Sequence, residues 1–145
     1  MIDRLPGYTS PSMITDTAIR DSLNAFIART LDGFSTPGSD VAKYFASPDV
    51  AIAGSGLDEY FMGPDAAQRG ITSVTASNVR WEPRIVVSWM RDRIAWAQIR
   101  IHGHTVEDGT QVTVQYVTTG IFERTGDEWA WLYWGGGEPQ EEARL

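Results

Sequence analysis

The sequence predicts an α+β domain in which helices cover one face of an antiparallel sheet. Helical spacing dominates before residue 79, and alternating strand patterns fill most of the chain after it. Helices followed by a run of strands are typical of this class. A chain of 145 residues fits one domain and buries roughly 70% of its unfolded surface, enough for a hydrophobic core. We expect an N-terminal arm over residues 1–14, the domain over residues 15–139 and a C-terminal tail over residues 140–145.

A long amphipathic helix opens the predicted domain. Apolar side chains recur at helical spacing from Ile19 to Phe34, and polar side chains lie mostly opposite them. Thr15 or Asp16 can cap the start, because a short side chain with an oxygen accepts a hydrogen bond from the first helical turn. The apolar stripe predicts that the helix buries one face against the sheet.

Two shorter helices are predicted next. The first follows Ser39, which can act as its N-cap. The second starts at Pro64 and extends to about Val74, because proline is favoured at the first helical position. Between these helices we expect a short strand over residues 50–53 and a glycine-interrupted loop over residues 54–63, which can bend closely over a ligand.

Four long strands complete the predicted domain. Tight links at residues 91–93 and 125–127, and a longer one at residues 104–109, predict antiparallel neighbours. The last strand carries apolar side chains on both faces, so both faces should be covered. We expect one face to meet a helix or a cavity, and the other to meet more protein, such as a second copy of this chain. The predicted strands span residues 79–90, 94–103, 111–123 and 128–135.

Charge and composition exclude several classes of partner. Nineteen acidic and twelve basic side chains give a formal net charge of −7, so a nucleic acid or an anionic membrane would be repelled. We therefore expect neither as a partner. The start of the chain lacks a secretory pattern, and no apolar run reaches the ~18 residues of a membrane span. With no cysteine present, these features predict a soluble protein of the cytoplasm.

Several short motifs along the chain carry a family resemblance. They are Pro48-Asp49-Val50, Asp58-Glu59, Gly63-Pro64-Asp65, Ile94-Ala95-Trp96-Ala97, and Gly120-Ile121-Phe122-Glu123-Arg124 followed by Trp129. Their order and spacing, over about residues 14–139, resemble the SnoaL-like branch of the nuclear transport factor 2-like superfamily.

This resemblance implies a cone, in which a strongly curved antiparallel sheet wraps around the long N-terminal helix. A pocket would open between the helices and the concave face of the sheet, and dimers would form through the outer face. The superfamily includes isomerases, polyketide cyclases, dehydratases and epoxide hydrolases, and also non-catalytic association domains. Because one fold serves all of these, the residues of the site must decide the function.

The resemblance also implies a carboxylate inside the cone, which the enzymes of this superfamily use as a base or in an acid–base pair. Where ketosteroid isomerases carry their base, this chain has Ala53 and Gly54, which argues against steroid isomerisation by that route. Asp58 and Glu59 are the nearest acidic substitutes, and Asp58 is the catalytic candidate of the two. Tyr60 offers a phenol that can donate a hydrogen bond to a carbonyl oxygen. The alternative is a solvated loop at the rim of the cone.

One face of the second long strand is polar. In one interpretation it points outward, to solvent or to a dimer interface. In the other it points into the pocket, where His102 can act as a general acid or base because an imidazole titrates near neutral pH. The residues on this face are Trp96, Gln98, Arg100 and His102, and the first three are candidates for ligand binding.

The same strand raises the question of a metal site. His102 and His104 point the same way, because residues two apart on a strand share a face. A third ligand would have to be a carboxylate such as Asp58, since the chain has no cysteine and no further histidine. We expect neither a metal nor an organic cofactor.

Aromatic side chains from different elements can enclose an apolar cavity with few polar groups, as in most small-molecule sites. Tyr116, on the third long strand, is the residue there most able to orient a polar ligand atom. We expect Phe26, Trp131 and Trp134 to line the cavity with it. The same rings would equally make a filled core.

Two hypotheses of function follow. In the first, the chain binds a small hydrophobic ligand, cyclic ligands included, and catalyses an isomerisation, cyclisation, hydration or hydrolysis without a cofactor. Its catalytic candidates are Asp58, Tyr60, His102 and Tyr116. In the second, the chain is a non-catalytic association or accessory module that uses its apolar strand faces. Both hypotheses predict a homodimer.

Overall fold

The computed structural model describes residue 2, residues 9–54 and residues 56–137. The predicted arm is therefore described only in part, and the predicted tail lies outside the described residues. The division into arm, domain and tail stays a prediction.

Two α-helices and a short 3-10 helix precede the long strands, in the predicted order. Helix α1 spans Thr17–Phe34, the 3-10 helix Val41–Phe45 and helix α2 Pro64–Thr75. Asp16 caps α1, because its Oδ1 accepts a hydrogen bond from the Ile19 backbone N–H at 3.0 Å. The expected cap by Ser39 is wrong. Its hydroxyl instead donates to the Gly33 carbonyl at 2.7 Å and ties the chain back to the end of α1.

The six described strands form one sheet in the order β2-β1-β6-β5-β4-β3. Neighbouring strands are antiparallel except β1 and β6, which are parallel. The loop predicted over residues 54–63 contains a strand at its end, β2, which pairs with β1. The strands are β1 (Ala51–Ala53), β2 (Tyr60–Met62), β3 (Arg80–Arg91), β4 (Ile94–Glu107), β5 (Thr110–Thr125) and β6 (Glu128–Gly136).

The hairpin between β4 and β5 is tighter than predicted. The ladder continues to the pair Glu107–Thr110, so the expected six-residue link is only Asp108 and Gly109. Both residues have positive φ, 51° and 76°, as the two-residue hairpin turns that match the twist of a sheet require. This turn lengthens both strands beyond their predicted ends.

Alternation along the strands divides the sheet into an inner face, which packs on α1, and an outer face. On β4 the buried inner residues are Ala95, Ala97, Ile99 and Ile101. On β6, Trp131 is fully buried, and its indole N–H donates to the Thr30 hydroxyl of α1 at 3.0 Å. This bond and the surrounding core fix α1 against the concave side of the sheet.

Two register shifts accompany the curvature of the sheet. In one, Arg84 is the extra residue, between Pro83 and Ile85 on β3; in the other, Leu132 is the extra residue on β6, opposite the step from Ile121 to Phe122 on β5. An extra residue in one strand bends that strand and increases its twist. The second shift also changes the faces of β6. Trp131 pairs with Phe122 and Trp134 pairs with Gly120, so both indoles lie on the inner side, whereas simple alternation placed them on opposite sides.

The described part of the N-terminal arm lies along the free edge of β3. The Met90 backbone N–H donates to the Ser12 carbonyl at 2.9 Å, and the Ile14 N–H donates to the Ser88 carbonyl at 3.1 Å. The Trp89 indole donates to the Ser10 hydroxyl at 2.9 Å. An open strand edge invites pairing with another chain, and this segment covers part of it.

The predicted fold class is confirmed: the molecule is an α+β domain whose largely antiparallel sheet curves around α1. Within the described part of the chain, no helix has the length and apolar character needed to cross a membrane.

Candidate functional site

A cavity of about 340 Å³ lies between the helices and the inner face of the sheet. Its wall is mainly apolar, and its polar groups are few. Among the lining residues, Leu31 and Phe34 come from α1, and Ile71 and Val74 from α2. The sheet and the β1–β2 loop supply Ile52, Glu59, Phe61, Trp81, Ile101, Tyr116, Thr118 and Trp134. This composition, an apolar wall with sparse polar groups, is typical of small-molecule sites.

Tyr116 brings a phenol into this wall. Burial raises the pKa of the Tyr116 phenol above 10.0, its ordinary value, and the negative charge of Glu59 raises it further. The indole of Trp81 packs beside it, with ring centroids 5.2 Å apart. A tyrosine is protonated at neutral pH even at its ordinary pKa, and the raised pKa keeps this phenol protonated to higher pH, so it can donate a hydrogen bond to a ligand oxygen.

Glu59 is an exposed residue that brings a carboxylate to the same wall. Its Oε2 accepts a hydrogen bond from the Gly56 backbone N–H at 3.2 Å, and its backbone carbonyl accepts one from the Gly54 N–H at 2.6 Å. A Cβ atom on Gly54 would collide with the Glu59 side chain. Gly54 is therefore needed for the close approach of this carboxylate to the backbone, and not for an unusual φ.

The two candidates that flank Glu59 lie elsewhere. Asp58 is exposed in the loop before β2 and is not part of the cavity wall. Tyr60 is 67% exposed on β2, while the next residue, Phe61, lines the cavity. The alternation along β2 explains this difference, because neighbouring strand residues point to opposite faces. Of the Asp58-Glu59 pair, it is the glutamate that reaches the cavity.

The aromatic candidates divide between core and cavity. Trp134 lines the cavity. Phe26 and Trp131 are buried in the core instead, and neither belongs to the cavity wall. Their rings lie 6.2 Å apart, and Trp131 also stacks on Phe45 at 5.4 Å. The filled-core alternative therefore holds for this pair.

The polar candidates on β4 lie on the outer face. The register pairs Ile101 with Tyr116, both in the cavity wall, so Arg100 and His102 on either side of Ile101 point away from the cavity. The same alternation places Trp96 and Gln98 outside, where Trp96 stacks on Trp89 with ring centroids 6.4 Å apart. Of the two interpretations of this face, the structure supports the outward one. The prediction that these β4 side chains point into the pocket is therefore wrong.

Sequence reasoning named Glu59 as an acidic substitute but chose Asp58 as the candidate, and it missed Trp81. Phe61 supplies the signal that could have found Glu59, because its large apolar side chain marks the inward residue of β2. Trp81 follows the end of α2 and pairs with Gly103 on β4. Sequence alone offers no signal that this tryptophan rather than another one lies against Tyr116.

The arrangement places a carboxylate, a protonated phenol and an apolar wall around one space. A carboxylate can accept a proton, and a phenol can donate a hydrogen bond to an oxygen that gains negative charge. The described residues of the cavity wall include no histidine and no lysine. Proton transfer here would therefore depend on Glu59 and Tyr116.

The family of the chain follows from its sequence match. Residues 16–136 match the SnoaL-like domain family, so the chain belongs to that family. Among curated proteins, none matches this sequence.

Solved structures share the fold at low sequence identity. A putative dehydratase of the NTF2-like family from Streptomyces avermitilis is 14% identical, with a TM-score of 0.70 over 85% of this chain and 97% of that one. The association domain of CaMKII from C. elegans is 10% identical, with a TM-score of 0.71 over 86% and 98% of the two chains. An NTF2-like protein of unknown function from Pseudomonas putida is 14% identical, with a TM-score of 0.71 over 88% and 91%. These likenesses support the fold and include both an enzyme class and an association class.

Proposed function

We propose that this protein binds a small hydrophobic ligand in the cavity and catalyses proton transfer on it, in an isomerisation, cyclisation, hydration or dehydration. The single observation that carries the proposal is the pairing of Glu59 and Tyr116 in one apolar cavity of about 340 Å³. That volume lies within the range of small-molecule sites. The fold shared with a putative dehydratase is consistent with the proposal.

In the proposed reaction Glu59 takes a proton from a ligand carbon next to a carbonyl group. The electron pair of the broken C–H bond moves towards the carbonyl oxygen, which gains negative charge. Tyr116 donates a hydrogen bond from its phenolic O–H to that oxygen without transferring the proton, and its raised pKa favours this protonated form. The apolar wall strengthens this hydrogen bond by excluding water. Glu59 then returns the proton to another carbon or to a leaving hydroxyl group.

Thermal-shift measurements on the purified protein test ligand binding first. The compounds are steroids, polyketide-like aromatics, terpenoid epoxides and short acyl compounds that carry a carbonyl group. A ligand that binds only the folded protein raises Tm, and the rise grows with the logarithm of the ligand concentration once the site is nearly saturated. We expect one of these chemical classes to raise Tm, and that class then supplies the substrates for turnover assays.

Matched variants then assign the chemistry. Glu59→Gln should retain the Tm shift and lose turnover by at least about a hundredfold, since general bases contribute about 10²–10⁴ in rate. Tyr116→Phe should lower kcat more than it changes KM. The controls are Asp58→Asn and Tyr60→Phe, which change the neighbouring exposed residues and should leave both quantities unchanged. Full turnover in Glu59→Gln would refute the proposed base.

A second candidate function is supported by the outer face. Val117 and Ile121 are 44% and 38% exposed there, and the stacked Trp89 and Trp96 lie on the same face. Apolar surface of this kind marks interaction sites, and the fold is shared with an association domain. We propose that two copies of the chain associate through this face. This association would be the whole function of the protein if the cavity binds no ligand.

Sedimentation velocity tests the association. Ile121→Asp should convert a dimer to a monomer, because it places a charge in the apolar contact. Leu57→Asp is the control, since Leu57 is 91% exposed in the loop before β2. Equal sedimentation of wild type and Ile121→Asp at every concentration would exclude this interface.

A further inference from the structure

We propose that Glu82, His102 and His104 form a binding site for a divalent transition metal ion of the zinc class on the outer face of the sheet. The ladder between β3 and β4 pairs Glu82 with His102, and His104 lies two residues further along β4 on the same face. One donor atom from each residue lies within 4.8 Å of the other two. The third ligand therefore comes from a neighbouring strand, and not from Asp58.

The donor set selects the class of ion. Two imidazole nitrogens and one carboxylate oxygen suit zinc, copper, nickel and cobalt, whereas magnesium and calcium prefer oxygen ligands throughout. Ligands of a tetrahedral zinc ion lie about 3.3 Å apart, given bond lengths near 2.0–2.2 Å. His104 Nε2 and Glu82 Oε2 are already 3.6 Å apart. The widest separation in the cluster would shorten by at most about 1.5 Å, which side-chain rotation can supply.

His104 is oriented for this role by the next strand. Its Nδ1 lies 2.9 Å from the Thr113 hydroxyl on β5, so this contact can hold the proton on Nδ1 and leave the lone pair on Nε2. That Nε2 is buried and makes no hydrogen bond to any described residue. A ring nitrogen held towards a carboxylate by a hydrogen bond on the other nitrogen is the usual arrangement of a histidine ligand.

Glu82 also has a partner that orients it. Arg84 Nη1 binds its Oε1 at 2.8 Å, while Arg80 Nη1 lies at 3.3 Å from Oε2. The Arg84 hydrogen bond, more than the weaker one from Arg80, holds the pKa of the Glu82 carboxyl below its ordinary value against the opposing effect of burial. In the metal-bound form Arg84 would stay on Oε1, and the metal would replace Arg80 on Oε2.

The positive charge of Arg80 should weaken metal binding at this site. Its guanidinium competes with the cation for the same oxygen, and its side chain is largely exposed, so it can turn away at little cost. Arg80→Gln removes this competitor without removing a ligand. A site of the proposed geometry should therefore bind metal more tightly in Arg80→Gln, whereas nonspecific binding to the acidic surface should hardly change.

Isothermal titration of the untagged, full-length chain with zinc chloride tests the site, with cobalt absorbance as a second readout. We expect one ion per chain and a visible cobalt spectrum of tetrahedral type. His102→Gln, His104→Gln and Glu82→Gln should each weaken zinc binding by at least about tenfold, a loss typical of damaged metal sites. Glu123→Gln, a half-buried carboxylate near the other end of the outer face, is the matched control and should bind like wild type.

Three results would overturn the site: no saturable zinc binding by wild type, unchanged binding in His104→Gln, or no gain in Arg80→Gln. Circular dichroism checks that each variant is folded. If a ligand variant does not fold, the cobalt spectrum of wild type and the Arg80→Gln titration still decide the proposal. Magnesium chloride should give no saturable heat.

Discussion

The two faces of the β4–β5 pair show how a one-residue offset separates two kinds of site. On the inner face, Ile101 and Tyr116 are paired and enclose an apolar cavity. On the outer face, the next pair is His102 and Gln115, and it lies beside Glu82 and the arginines that bind it. Neighbouring strand residues thus meet different surroundings, because strand side chains alternate between faces.

The difference lies in what surrounds each carboxylate. At the cavity, Glu59 is an exposed residue of the wall, and its negative charge adds to the larger effect of burial in raising the pKa of Tyr116. Outside, Glu82 is about a third exposed and shares its charge with Arg80 and Arg84. Solvent screens those pairs, and each contributes little to stability. Three measurements test this difference between the two faces.

The largest expected effect concerns packing. Trp131→Ala, on the inner face, should lower the free energy of unfolding by about 3–5 kcal/mol, because it empties a fully buried site and leaves the Thr30 hydroxyl without its indole partner. Trp96→Ala, on the outer face, should cost about 1 kcal/mol, mainly its stacking on Trp89. Urea unfolding measures both.

Trp131→Phe is the control for this comparison, since it keeps an aromatic ring while it removes the N–H donor and part of the ring volume. The free energy of unfolding of Trp131→Phe should lie between those of wild type and Trp131→Ala. Equal losses in Trp131→Ala and Trp96→Ala would show that the outer face is as closely packed as the core, and a dimer interface would then be the first explanation to test.

The second effect concerns the pH response of the cavity. The Tyr116 pKa is raised by burial and, next, by Glu59, so Glu59→Gln should lower this pKa part of the way back. The tyrosinate absorbance of wild type minus that of Tyr116→Phe follows the residue. Because the folded state holds this proton more tightly than the unfolded state, the corresponding stability is complete below pH 10.0, the ordinary pKa. It is lost as the pH rises through the folded pKa.

Asp58→Asn is the matched control for that titration, since Asp58 is exposed and outside the cavity wall. It should leave the Tyr116 titration unchanged. A larger shift from Asp58→Asn than from Glu59→Gln would mean that the aspartate, and not the glutamate, faces the phenol.

The smallest effect is expected on the outer face at acid pH. The pKa of Glu82 is lowered, chiefly by the hydrogen bond from Arg84. Its stabilisation is therefore present above 4.5, the ordinary value, and is lost as the pH falls through the lower folded value. Glu82→Gln should lose less stability than wild type over that acid range, as thermal unfolding at a series of pH values would reveal. Solvent screening keeps the difference small.

Glu123→Gln serves here as the carboxylate control on the same face. If its acid response differs from that of wild type as much as the response of Glu82→Gln does, the arginine pairs of Glu82 have no special effect. A Glu82→Gln protein more acid-sensitive than wild type would contradict the sign of the argument.

The sequence by itself determined the order of the elements, the fold class and the family. The apolar stripe of α1, the Asp16 cap and the tight turns are local features, and each depends on residues close together in the chain. Alternation also sorted β4 correctly into two sets. It could not say which set faces α1, because a strand's pattern is the same whichever side is buried.

Only the tertiary structure decided that choice and the members of both candidate sites. A bulge at Leu132 on β6 brings Trp134 to the inner side, and the short strand β2 turns Phe61 inward and leaves Asp58 outside the cavity wall. Glu82 meets His102 through the β3–β4 register. These relations join residues that are distant in the chain, and strand pairing and core packing determine them, so no local pattern could reveal them.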